Sequence, residues 1–74
     1  MPRYIAEVKG DVLELEANGA GLSIPLNNLC RVLDIKYEGQ QARVVGNSVE
    51  IDPPRSGDVG ASIPIESIFN FYRR

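Results

Sequence analysis

Residues 6–16 and 42–52 of this chain are two versions of one string. Ala6/Ala42, Val8/Val44, Gly10/Gly46 and Glu14/Glu50 are identical, and Asp11/Asn47, Leu13/Val49, Leu15/Ile51 and Glu16/Asp52 are conservative pairs between them. With three extra residues allowed in the second copy, Gly21-Leu22-Ser23-Ile24-Pro25-Leu26 aligns with Gly60-Ala61-Ser62-Ile63-Pro64-Ile65, and Asn28/Ser67 and Leu29/Ile68 continue the match. Eight identities fall in twenty aligned positions, where ordinary composition gives about one or two. Two copies are too few for a solenoid, which needs at least three to bury a continuous face. The expectation is therefore a single domain over residues 1–74, with repeats at about 4–36 and 40–74 sharing one core across a pseudo-twofold axis.

Within a copy, Val12-Leu13-Glu14-Leu15-Glu16 and Val49-Glu50-Ile51-Asp52 alternate with period two, the pattern of half-buried strands with their carboxylates outward. Gly10-Asp11 and Gly46-Asn47 suit two-residue hairpin turns with positive φ, joining these strands to Tyr4 to Lys9 and to Gln41 to Val45. A turn-rich loop follows in each copy, then a short strand running into Ile-Pro, where proline has no N–H for a ladder and ends the strand or marks an edge. One helical turn is expected after Pro25 and Pro64. The closing segments, Leu29 to Lys36 and Ile68 to Arg73, should share a conformation. Leu26, Leu29 and Leu33 have helical spacing, but the aromatics of Ile68-Phe69-Asn70-Phe71-Tyr72 favour strand, and strand is the reading for both. The predicted fold is all-β, a small closed or partly open barrel of two pseudo-twofold-related halves, each a β-hairpin plus a strand.

A chain of 74 residues buries only about 60% of the surface its unfolded form exposes. Covalent staples do not compensate, because Cys30 is the only cysteine and histidine is absent. An internal disulfide, a Cys-based zinc site and an imidazole base are thereby excluded. Cys30 reads as a small buried hydrophobe rather than a reactive thiol. With no apolar run near the roughly 20 residues of a membrane span and no apolar signal segment behind Met1-Pro2-Arg3-Tyr4, the expectation is a cytoplasmic protein, not membrane-bound. The net charge of −2 is spread over both signs, and the one basic cluster is Arg73-Arg74. No catalytic residue, metal site or cofactor is expected: Glu14/Glu16 and Glu50/Asp52 read as solvated faces, and the glycine-containing loops lack the lysine and helix of a phosphate loop.

From Gly21-Leu22-Ser23-Ile24-Pro25 through Leu29, Leu33, Ile35, Gly39, Val44, Gly46, Val49, Ile51 and Pro53, about half the chain resembles the AbrB/MazE type of swapped-hairpin barrel. The resemblance needs one extra residue between Pro25 and Leu29, and Leu26-Asn27-Asn28 replaces the family's basic residues after Ile-Pro. Members are DNA-binding regulators and antitoxins that build a barrel from two chains, so the resemblance implies a fused single-chain version. The Ile-Pro-Leu-x-x-Leu segment is also similar to the N-terminal β-domain of the CRISPR integrase family.

Functional differences between copies concentrate in two places. The expansion Asp52-Pro53-Pro54-Arg55-Ser56-Gly57-Asp58 exists only in the second, with a proline pair that restricts the loop and leaves Arg55 to reach a ligand. The second copy also ends in Phe69, Phe71 and Tyr72, three of five aromatics within the last six residues, where the rings either plug one end of the barrel or form a partner surface. The candidate partner-binding residues are accordingly Pro53, Pro54, Arg55, Asp58, Phe69, Phe71, Tyr72 and Arg73. The first functional expectation is a small non-enzymatic binding module for a protein partner, an accessory or inhibitor protein, with homodimerisation as one form of it. The second is a nucleic-acid-binding, antitoxin-like regulator. A twofold relation would further relate the acidic pairs Glu14/Glu16 and Glu50/Asp52 as a symmetric surface for a basic partner.

Overall fold

A computed structural model of the chain describes residues 4–17 and 19–72. The elements run β1 (Tyr4–Lys9), β2 (Val12–Ala17), β3 (Ala20–Pro25), α1 (Leu26–Val32), β4 (Ala42–Val45), β5 (Ser48–Ile51), β6 (Ala61–Pro64) and α2 (Ile65–Tyr72). Each half is thus β-β-β-α, with antiparallel sheets ordered β1-β2-β3 and β4-β5-β6.

The hairpin turns form because Gly10 and Gly46 take φ of 63° and 59°, while Asp11 and Asn47 stay at negative φ. Positive φ at the first central position alone is the type II′ turn, whose twist matches the flanking strands. Lys9 then faces Val12, and Val45 faces Ser48. The same register carries into the third strands, where Leu13 opposes Ile24 and Val49 opposes Ile63. A helix begins directly at the residue after each proline. Its first N–H has no intrahelical acceptor and is satisfied by the hairpin turn of its own half: Leu26 N donates to Asp11 O at 2.8 Å and Ile65 N to Asn47 O at 2.9 Å.

These helices correct the strand reading of Leu29 to Lys36 and of Ile68 to Arg73: residues 29–32 and 68–72 are helical, residues 33–36 form no strand, and Arg73 lies outside the described residues. α1 places Leu26, Leu29, Cys30 and Leu33 inward and α2 places Ile65, Ile68, Phe69 and Tyr72 inward, both at i, i+3, i+4, i+7, the period of one helix face. The aromatic run is apolar on both sides of a strand but on one side of a helix, apart from Phe71. α1 ends with Asp34 in the left-handed region at φ 59°. There Asp34 N donates to Arg31 O and Ile35 N to Cys30 O, the pattern of a Schellman cap made without its usual glycine.

The buried side chains form one cluster drawn from both halves: Leu13/Val49, Leu15/Ile51, Ile24/Ile63, Leu26/Ile65 and Leu29/Ile68, with Cys30 as the eleventh member. Ten of the eleven are therefore equivalent pairs of the two halves. Of the expected all-β fold, a closed or partly open barrel, the closed form does not occur and two helices are added. β1 and β4 are the strands that bring the halves together, yet no backbone hydrogen bond joins them among the described residues. The two sheets stay separate, and the molecule is β-rich with two short helices, longest along one axis at 38 Å against 22 and 20 Å. No helix among the described residues is long and apolar enough to cross a membrane.

Candidate functional site

The loop present only in the second half lies against the linker between the halves. Pro54 and Asp58 line a shallow depression of about 310 Å3 together with Ile35, Lys36 and Gln40 of the linker and the exposed Val59. The Gln40 amide nitrogen donates to Lys36 O at 3.0 Å and to Asp52 O at 3.2 Å, and its carbonyl accepts from Glu38 N. This side chain therefore fastens the linker to the end of β5. Arg55 reaches Glu38 at 3.9 Å with its guanidinium two-thirds exposed, a contact worth well under about 1 kcal/mol. Pro53 packs toward the backbone of Gly60, where a Cβ would meet Pro53 Cδ at 3.3 Å and Ile51 O at 2.6 Å.

The aromatic segment divides into structural and surface residues. Phe69 sits on Tyr4 with ring centroids 5.8 Å apart and planes tilted by 47°, tying α2 to β1 of the other half. The Tyr72 hydroxyl donates to Asn28 Oδ1 at 2.9 Å and so links the two helices. Phe71 points away from the core and is 51% exposed. Arg73 lies outside the described residues. The expected loop and aromatic residues are not brought together: no α2 residue lines the depression under Pro54 and Asp58.

Cys30 is fully buried, and burial pushes its thiol above the ordinary range. A neutral, enclosed thiol is a poor nucleophile, so thiol labelling of the native protein should proceed only as fast as the fold opens. Burial also raises the Tyr37 hydroxyl, with further contributions from the Asp11 carboxylate and Cys30, and the Tyr72 hydroxyl, with Cys30 again contributing. Among the described residues no polar or charged side chain is buried, and no three potential metal ligands converge.

Two surface features extend the sequence reading. Val32, which the 39-residue offset between the copies sets against Phe71, is 44% exposed and occupies in α1 the position that Phe71 holds in α2. The second feature is the outer face of the first sheet. Glu7 faces Glu14 across β1 and β2, and Ile5, 67% exposed, faces Glu16. The equivalents of Glu7 and Glu16 are Arg43 and Asp52, which form an ion pair at 3.0 Å. The symmetric acidic surface expected from Glu14 and Glu50 is therefore unequal, with Arg43 standing opposite Glu50 in the second sheet.

Comparison with protein-family models, characterised proteins and solved structures gives no match to the chain.

Proposed function

We propose that the chain is a small non-enzymatic binding module, an accessory or inhibitor protein of the cytoplasm, whose partner is another protein. The two halves are read as a tandem duplication, an economical way to fill one core from a short sequence. The observation that supports a protein partner is Phe71. A phenyl ring half in water at a helix surface forgoes about half of the roughly 1.5–3 kcal/mol that its burial would contribute. Its equivalent Val32 leaves the same position of the other helix apolar, and the Tyr72–Asn28 hydrogen bond links the two helices. Aromatic anchors on a rigid support are the usual centres of protein interfaces. The lone buried cysteine fits a reducing compartment.

The test places a photo-crosslinking side chain at position 71, and at Asn70 as control, in the cells that encode the chain. A discrete protein adduct at 71 that is weaker at 70 supports the reading, whether the adduct is a different protein or a second copy. No protein adduct at 71, or retention of duplex DNA with the steep salt dependence of phosphate contacts, overturns it.

A further inference from the structure

The unpaired edge of the first sheet carries an inference about a second surface, remote from Phe71 in sequence and independent of it. In an antiparallel sheet, successive residues direct their N–H and C=O alternately to one side and the other. Lys9 and Val12 flank the two-residue turn, so Val12 bonds to β1 and Leu13 turns toward β3. The alternation assigns Ile24, Leu22 and Ala20 to β2 and leaves the N–H and C=O of Gly21 and Ser23 directed outward. Pro25, with no N–H, stands opposite Val12 as this register requires. Among the described residues nothing pairs with this side of β3, and Ala20, Gly21 and Ser23 are exposed.

Sheet edges are ordinarily blunted by shortness, charge or a bulge. β6 is four residues long and flanked by Asp58 and Glu66. β3 is six residues long, and the sequence has no charged residue between Glu16 and Arg31. Pro25 is its only protection, at the far end.

The face beside this edge selects the occupant. Ser23 continues the cross-strand row Glu7–Glu14, and Gly21 continues the row Ile5–Glu16; these rows line a depression of about 220 Å3. Lys9 approaches Glu7 and Glu14 only at 4.0 and 3.9 Å, and among the described residues no cation lies within ion-pair distance of Glu16. A second copy added by its own β3 would join two such acidic faces into one. We propose instead that β3 accepts an extended basic peptide segment as an added strand. Its backbone pairs with Gly21 and Ser23, and alternate Lys or Arg side chains lie over Glu14 and Glu16.

The experiment titrates the full chain at low salt with a synthetic eight-residue peptide of alternating lysine and threonine, followed by amide NMR and hydrogen exchange. Shifts and slowed exchange centred on Gly21 and Ser23 are expected. Affinity should fall about three- to tenfold in a Glu14→Gln, Glu16→Gln double variant, at least tenfold when alternate peptide amides are N-methylated, and not at all in Phe71→Ser, whose behaviour isolates the helix face. Shifts centred elsewhere, equal binding of the N-methylated or a glutamate-threonine peptide, or peptide-independent, concentration-dependent shifts at Ser23 that mark self-pairing would each overturn the proposal.

Discussion

On the outer face of the first sheet stand Glu7 and Glu16; on the second, the same positions hold Arg43 and Asp52, paired at 3.0 Å. Beneath those faces the buried residues keep their apolar character and differ by at most a methylene, Leu13 against Val49 and Leu15 against Ile51. The contrast extends to the loops, a tight turn leading into β3 against a long proline-bearing excursion leading into β6. Packing therefore holds the two halves to one pattern, and the surface is where each carries its own chemistry. The one core exception, Cys30 against Phe69, falls where α2 must reach across to Tyr4.

Equivalence in the core is broken most severely by truncation. Leu29→Ala and Ile68→Ala should each cost about 3 kcal/mol, and chemical denaturation followed by NMR should show both halves lost in one transition in either variant. One half melting alone would separate what the shared cluster joins. Gly21 in β3 and its equivalent Gly60, just before β6, test a finer difference. Gly60→Ala places a methyl 2.6 Å from Ile51 O and should cost about 2 kcal/mol, whereas at Gly21 the nearest atom, Leu15 O, is 3.7 Å away and alanine should be nearly neutral or slightly stabilising. Equal losses at the two sites, measured by thermal melts, would show that the second half is no tighter there than the first.

The hairpins and their register were legible because glycine followed by Asp or Asn sits between alternating runs, a signal confined to a few neighbouring residues. Five of the aligned pairs are the ten paired members of the core. The helices were missed although Ile65, Ile68, Phe69 and Tyr72 carry the helical period. The β propensity of aromatics outweighed a two-turn pattern, and tertiary burial of that face decides the conformation of so short a segment. The missing backbone pairing between β1 and β4 had no local signal, since closure depends on how two distant strands meet. Of the candidate site, Phe71 and the Pro54–Asp58 loop are at the surface as expected, while Phe69 and Tyr72 serve packing. The pair Glu14/Glu16 was legible as an acidic surface for a basic partner, whereas Ile5 and Glu7 went unremarked beside it because the replacement of Glu7 by Arg43 is visible only when the copies are aligned by charge as well as by apolarity.

Smaller effects sharpen the comparison further. Asp34, which caps α1 in a left-handed conformation, should be improved by Asp34→Gly by about 0.5–1 kcal/mol, read as a rise in melting temperature. Least of all, Arg43→Ala should cost under about 1 kcal/mol, because the Arg43–Asp52 pair is half exposed. Its loss should shrink further in high salt, and a larger, salt-insensitive loss would mean that Arg43 supports the second sheet through its aliphatic stem.

The hydrogen bond from each helix to its own hairpin turn also sets how the chain begins to fold. Leu26 and Asp11 are 15 residues apart, and Ile65 and Asn47 are 18 apart. Closing loops of those lengths differs in chain entropy by only about 0.2 kcal/mol. The inserted proline loop therefore scarcely handicaps the second half as a nucleus. On closure entropy alone, neither half is favoured to form first.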